Sequence, residues 1–177
     1  MRGFAEQLQA SALSEALQAA GWIVPTVQSI HILAIGVVFV SILMIALRVL
    51  GWARMDQSPA AVVARFAPWL WGGLAVMATT GLVLVLAEPV REIMNASFRT
   101  KMALLLVAVA SAAWFGRTLA PPVTADGAAP PEAGPFTPAA KALAAGTVVL
   151  WLAIIFLGRA IAYDVEVWGA LSPAAAP

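Results

Sequence analysis

The chain has little of what most catalytic and metal sites require. Its 177 residues include no cysteine, one histidine and one tyrosine. The lack of cysteine excludes disulfides, thiolate metal sites, iron–sulfur clusters and cysteine nucleophiles. The motifs of zinc proteases, serine hydrolases, phosphate loops and dinucleotide turns are also absent from the sequence. We therefore expect no enzymatic activity, and the net charge of +1 gives no electrostatic basis for binding nucleic acid.

Charged side chains are scarce as well. They make up 11% of the chain, whereas hydrophobic residues make up 62% and the mean hydropathy is +0.92. A soluble domain has about 25% charged residues and about 45–50% apolar residues. Because a chain of this composition lacks the polar surface to cover a globule, the sequence predicts an integral membrane protein whose first partner is the lipid bilayer.

Four apolar runs are long enough to cross that bilayer, which takes about 20 helical residues. They cover approximately residues 26–50, 66–87, 98–119 and 139–163. Each run is followed by residues that end a membrane helix, namely Gly51 with nearby charges, Glu88-Pro89, Pro121-Pro122 and Asp164. We predict an all-α integral membrane four-helix bundle over residues 22–163, with up-down-up-down topology.

Three segments lie outside the predicted spans. Residues 1–21 are polar enough to stay out of the hydrocarbon and are expected to form a short interfacial helix. Residues 120–138 are rich in proline and alanine and are interpreted as a loop between the third and fourth spans. Residues 164–177 form a C-terminal tail in this interpretation.

Basic residues do not decide the orientation by number alone. One end of the bundle holds five of them, Arg48, Arg54, Arg65, Arg117 and Lys141, and the other end also holds five, Arg2, Arg91, Arg99, Lys101 and Arg159. We discount the last three because they lie beside carboxylates at helix ends. The end with Arg48, Arg54 and Arg65 then has more basic residues, which indicates the inner side. The acid-rich end, with both termini, is therefore placed on the outer side of the membrane.

The alternating direction of the spans brings distant polar residues together at this outer end. The candidate ligand-binding residues are His31, Gln28, Arg99, Lys101, Arg159 and Tyr163. Ionisable groups near a membrane interior are costly, so they indicate a functional site. Simpler explanations remain open: His31 could be a hydrogen-bonded packing residue, Lys101 and Arg159 could extend to the headgroups, and Arg159 could contact only Tyr163. Glu88 and Glu92 are expected to face water.

His31 is also the only candidate metal ligand of the usual haem type. One histidine cannot form a bis-histidine haem site within one chain. A b-type haem would need His31 together with a methionine such as Met102, or two copies of His31 across an oligomer interface.

An ordered set of short motifs resembles a family of bacterial inner-membrane proteins built on a domain of unknown function. The motifs are Trp22-x-x-Pro25, His31, Arg48-x-Leu50-Gly51, Arg65-x-x-Pro68-Trp69, Thr80-Gly81, Phe98-Arg99-x-Lys101 and Gly158-Arg159-x-Ile161-Ala162-Tyr163. The resemblance implies four helices in the bacterial inner membrane. Together with the orientation inferred from the basic residues, this makes both termini periplasmic. More distantly, the early histidine is similar to that of copper-resistance D membrane proteins and four-helix b-type cytochromes, although the chain lacks their further histidines.

Three functions are compatible with these features. The first is a non-catalytic membrane anchor or binding subunit, with a small polar site for a haem, a quinone or an anion at the outer face. It could form a homo-oligomer or bind a membrane or periplasmic partner. The second is a small transporter or channel subunit, although few polar residues lie along the middle of the spans. The third is a b-type cytochrome that transfers electrons.

Overall fold

The computed structural model describes residues 2–119 and 136–173. Within these residues the chain forms eight α-helices: α1 (Arg2–Gln9), α2 (Ala12–Ala19), α3 (Ile23–Leu50), α4 (Pro59–Ala87), α5 (Pro89–Ile93), α6 (Ala96–Leu119), α7 (Pro138–Ala160) and α8 (Asp164–Trp168). A 3₁₀ turn, Ile161–Tyr163, joins α7 to α8, and a second turn, Gly169–Leu171, follows α8. Most of the predicted loop at 120–138 and the last residues of the predicted tail lie outside the described residues.

Four segments of the described chain are long and apolar enough to cross a membrane. They are Ile23–Leu50, Pro59–Ala87, Ala96–Trp114 and Pro138–Leu171. The all-α class and the presence of four such helices, both predicted from the sequence, are therefore confirmed.

The second long helix begins about two turns before the predicted span. The Ser58 hydroxyl accepts a hydrogen bond from the Ala61 N–H at 3.2 Å, and Pro59 occupies the first helical turn. Serine before proline is a favourable helix start because the cap satisfies a free N–H that the helix itself cannot. Arg65 therefore lies within α4, whereas hydropathy alone placed the boundary after it.

The four long helices share an apolar core. Helix α3 packs against α4 and α7, and α7 packs against α6. The buried side chains of this core are Ala34, Val38 and Ile42 from α3, Leu70 and Met77 from α4, Ala108 from α6, and Trp151 and Ile154 from α7. Most of them are aliphatic or small, which lets the helices approach closely.

The N-terminal segment, predicted as one short interfacial helix, contacts the long helices directly. It forms two short helices, because Ser11 donates to the Leu8 carbonyl at 2.6 Å and caps α2 by accepting from the Ser14 N–H. The Gln18 amide nitrogen then donates to the carbonyl oxygen of Ala87 at 2.8 Å. Since Ala87 is the last residue of α4, α2 satisfies a carbonyl at the end of that helix.

The residues that follow α7 form hydrogen bonds with the start of α6. The Asp164 carboxylate accepts hydrogen bonds from the backbone N–H groups of Ala96 and Ser97 at 3.1 and 2.9 Å, and from the Ser97 hydroxyl at 2.9 Å. The Ser172 hydroxyl donates to the same carboxylate, and the Trp168 indole N–H donates to the Ser97 hydroxyl at 2.8 Å. Asp164 thus caps the start of α6 from a position 68 residues away in the chain.

Two adjacent glycines of α4 give a matched test of the α3–α4 packing. A methyl group at Gly73 would lie 2.7 Å from Cγ2 of the buried Val38, whereas nothing lies within 4 Å of one at Gly72. We predict that Gly73→Ala lowers the free energy of unfolding by about 1–3 kcal/mol, as overpacking does. Gly72→Ala should leave it unchanged or raise it by up to about 1 kcal/mol through helix propensity. Equal stability of the two variants in a detergent unfolding titration would contradict this packing.

Candidate functional site

The site is centred on His31, near the start of α3, where this helix lies beside the end of α4. The His31 Nδ1 and the Thr80 Oγ1 are 2.7 Å apart. Thr80 is buried and His31 is half-buried. The residues are 49 positions apart in the sequence, so this bond depends on how the two helices pack.

The direction of this hydrogen bond follows from the other partners of Thr80. The Thr80 hydroxyl donates to the Val76 carbonyl at 2.7 Å, with the Met77 carbonyl at 3.3 Å. A hydroxyl has one proton to donate, so Thr80 must accept from His31. The His31 Nδ1 therefore carries the proton, and in the neutral imidazole the lone pair is on Nε2.

The His31 imidazole lies close to position 81 of α4. A methyl group on Gly81 would be 3.4 Å from the His31 Cε1 and 4.0 Å from its Nδ1. These are ordinary van der Waals distances, so an alanine at this position would contact the ring without displacing it.

Lys101 of α6 is the predicted site residue whose charge acts on this imidazole. Its side chain is half-buried, and its ammonium lies 5.2 Å from the centre of the Phe98 ring. The ammonium interacts electrostatically with both His31 and Glu92. The Lys101 Cδ is also close to Gly158 of α7, at 3.9 Å from where a methyl group would stand. Lys101 thus joins α6 to the His31–Thr80 pair.

Glu92 of α5 is the third ionisable residue of this group, after His31 and Lys101. It does not simply face water as the sequence suggested. Its side chain is half-buried, and burial raises the pKa of its carboxyl above the ordinary value. The positive charges of Lys101 and Arg91 act against this rise in pKa, whereas the negative charge of Glu88 adds to it. The sequence did not identify Glu92 as a site residue because it lies between the second and third apolar runs, in the five-residue helix α5.

The other predicted site residues lie on the surface of the same end. The side chains of Gln28, Arg99, Arg159 and Tyr163 are exposed. Arg159 is in the last turn of α7, but Tyr163 is in the 3₁₀ turn that follows, so the two are not spaced along one continuous α-helix. Of the six predicted residues, His31 and Lys101 are the two that enter the interior.

A cavity of about 480 Å³ lies at this end, between α1, α5, the residues that join α5 to α6, the 3₁₀ turn after α7, and α8. Its lining includes Arg2, Arg91 and Asp164. Arg2 forms an ion pair with Glu6 at 3.4 Å, Arg91 pairs with Glu88, and Asp164 caps α6. The two arginines of the lining are therefore already paired, so they are not available as unpaired cations for an anionic ligand.

Family-level comparison agrees with the sequence motifs. The profile described as Family of unknown function (DUF6644) matches residues 4–164. The chain belongs to this family. No curated protein and no solved structure matches it. The match shows no further similarity to copper-resistance D proteins or to cytochromes.

For this member of the family, the described residues contain no group of three or more His, Cys, Asp or Glu side chains that could hold a metal ion. The feature that the sequence did not predict is the hydrogen bond from His31 to Thr80. The available signal was Thr80-Gly81, a hydroxyl followed by a glycine within an otherwise apolar run.

The proton position on His31 can be measured directly. We predict that ¹⁵N NMR of the imidazole shows the neutral Nδ1–H form in the wild-type protein. In Thr80→Val the acceptor is lost, and the proton should move to Nε2, the form preferred by free histidine. Thr79→Val is the matched control, because Thr79 is exposed and donates only to the Ala75 carbonyl, at 2.9 Å, among the contacts described. A neutral Nε2–H form in the wild type would contradict the assigned direction.

The half-buried carboxyl of Glu92 predicts a pH dependence of stability. Below its raised pKa the folded protein keeps Glu92 protonated, and this contribution to the free energy of unfolding is lost as the pH rises through that pKa. Glutamine stays neutral, so the wild type should lose stability relative to Glu92→Gln as the pH rises above about 4.3, the ordinary pKa of glutamate. Glu15→Gln, at an exposed position, is the control. A difference between wild type and Glu92→Gln that grows toward low pH would refute the assignment.

Proposed function

We propose that this chain is a non-catalytic integral membrane binding subunit whose four long helices cross the bilayer as an up-down-up-down bundle. Apolar side chains on the outer surface of each helix support insertion. Leu33 is 72% exposed, Leu82 60%, Leu106 72% and Phe156 65%. Surfaces of this kind are unfavourable in water and are covered by lipid in a membrane.

The distribution of ion pairs supports placing the His31 end outside, in the bacterial inner membrane with both termini periplasmic. At this end Arg2 and Arg91 are paired with glutamates. Within the described residues, no carboxylate lies within ion-pair distance of Arg48, Arg54 or Arg65 at the opposite end. Uncompensated arginines favour the cytoplasmic side.

The ligand proposed for the His31 site is a quinone-class head group that enters from the bilayer. The observation that carries this proposal is the hydrogen bond from the His31 Nδ1–H to Thr80, because it leaves the Nε2 lone pair for a ligand. A quinol hydroxyl can donate to that lone pair, and the Lys101 ammonium can donate to an oxygen of the same ring. Both side chains are half-buried, which strengthens such bonds.

Haem b ligation is the second candidate, and the same lone pair favours it. A histidine that ligates a metal through Nε2 usually donates its Nδ1–H to a neighbouring oxygen, as His31 does to Thr80. A bound haem would supply one-electron redox chemistry. His31 would hold the haem together with Met102, which follows Lys101 on α6, or with His31 of another copy.

One set of samples distinguishes the two candidates. Full-length protein in lipid nanodiscs would be titrated with a short-chain ubiquinone, and binding followed by isothermal calorimetry. His31→Ala should weaken binding about tenfold or more, because one buried hydrogen bond is lost. Thr80→Val should weaken it as well. Arg65→Gln, at the opposite end of the helices, should bind like the wild type.

A reduced-minus-oxidised spectrum of the same preparations tests haem. A cytochrome band that disappears in His31→Ala would establish the haem function in place of the quinone function. Wild-type protein that binds no quinone and shows no such band would leave only the anchoring role of the bundle.

A further inference from the structure

The two ring nitrogens of His31 have different surroundings. Nδ1 donates its proton to the Thr80 hydroxyl at 2.7 Å, and that hydroxyl donates its own proton to the Val76 carbonyl, also at 2.7 Å. Because the hydroxyl hydrogen is already used, the neutral imidazole keeps its proton on Nδ1. Nε2 therefore presents a lone pair and no hydrogen.

The Nε2 lone pair can be reached from outside the helices. Among the described residues that are not exposed, the side-chain nitrogen and oxygen atoms that are shielded and lack a hydrogen-bond partner are Arg54 Nε and Trp151 Nε1. The His31 Nε2 also has no partner among the described residues, yet it is not one of these shielded atoms. Its lone pair is therefore accessible to a ligand, as the binding function proposed above requires.

An accessible lone pair distinguishes the two redox forms of a quinone-class ligand. A quinol hydroxyl has a hydrogen to donate to Nε2, whereas a quinone carbonyl has only lone pairs and can accept nothing from it. A hydrogen bond to the carbonyl would require a second proton on His31, which brings a positive charge near that of Lys101. The neutral imidazole thus favours the reduced form.

Lys101 does not make this distinction. Its ammonium has three hydrogens to donate and no lone pair, so it can form a hydrogen bond with an oxygen of either redox form. The difference between the two forms therefore depends on His31. Thr80 is the acceptor that keeps the proton of His31 on Nδ1.

We infer that this site selects the quinol over the quinone, and that Thr80 determines the selection by fixing the proton position on His31. The inference rests on the proposed binding of a quinone-class head group and adds redox specificity to it. Thr80 is a positioning residue, because it acts on the ligand through His31. Tighter binding of the reduced form raises the midpoint potential of the bound couple, as any preferential binding shifts an equilibrium.

Full-length protein in lipid nanodiscs tests the selection directly. It would be titrated in the absence of oxygen with a short-chain ubiquinol and, separately, with the corresponding ubiquinone, and isothermal calorimetry would give both dissociation constants. We expect ubiquinol to bind about tenfold more tightly, because the Nε2 acceptor stays unsatisfied in the ubiquinone complex. For a two-electron couple this ratio corresponds to a rise of about 30 mV in midpoint potential, which a redox titration of the same nanodiscs measures independently.

Variants at Thr80 separate the proton position from the packing. Thr80→Val should weaken the binding of both forms by releasing the ring. It should also reduce the ratio of the two dissociation constants to about one, because an Nε2–H donates to an oxygen of either form. Thr80→Ser keeps the hydroxyl and should keep the tenfold ratio. Thr79→Val, at an exposed threonine of the same helix, is the matched control and should also keep it.

The possible results separate this inference from the function on which it rests. Wild-type protein that binds both forms equally, or ubiquinone more tightly, would overturn the selection and leave the quinone-class function standing. A tenfold ratio that persists in Thr80→Val would also overturn the inference. If Thr80→Val fails to fold, His31→Ala takes its place, since it removes the lone pair and should likewise abolish the ratio. Absence of binding of either form by the wild type would refute the proposed function and the selection together.

Discussion

The hydrogen bonds that Asp164 accepts from the start of α6 hold together the polar end of this protein. The first N–H groups of a helix have no partner within the helix, and those that are shielded from water need an acceptor from another part of the chain. Asp164 satisfies the N–H groups of Ala96 and Ser97 and complements the positive end of the helix dipole. Because Asp164 follows α7, these bonds fix the start of α6 relative to the end of α7. They thereby set the position of Lys101, one to two turns further along α6.

The site depends on this arrangement in a second way. His31 reaches Thr80 because α3 and α4 pack closely, and Lys101 reaches the same region because Asp164 anchors α6. A half-buried imidazole, ammonium and carboxyl at one end of the helices are costly unless their charges and hydrogen bonds are matched. Thr80 accepts the hydrogen bond of the His31 Nδ1–H, and the charge of Lys101 acts on both His31 and Glu92. The ligand proposed above would use the Nε2 lone pair of His31.

Much of the fold could be predicted from composition and from helix-ending residues. The apolar runs identified the four long helices, and Glu88-Pro89 coincides with the end of α4 at Ala87. The predicted start of α4 was about two turns too late, because hydropathy does not detect the Ser58 helix cap. The contacts of Asp164 could not be predicted, because they depend on the start of α6, which lies 68 residues earlier.

The candidate site was less predictable, for a physical reason. Periodicity places residues on a helix but does not give the rotation of one helix against another. His31 and Lys101 turn inward, whereas Gln28 and Arg159, at the same end, turn outward. In the sequence Thr80 was noted only as part of the Thr80-Gly81 motif, and its importance follows from a proton direction that only the three-dimensional contacts reveal.

The central claim is that Asp164 orders the end of the helices on which the site is built. Hydrogen–deuterium exchange of the Ala96 and Ser97 amides, compared in wild type and Asp164→Ala, measures this most directly. The account predicts slow exchange in the wild type and much faster exchange in the variant, with the amides in the middle of α3 unchanged. Equally fast exchange of Ala96 and Ser97 in both proteins would contradict it.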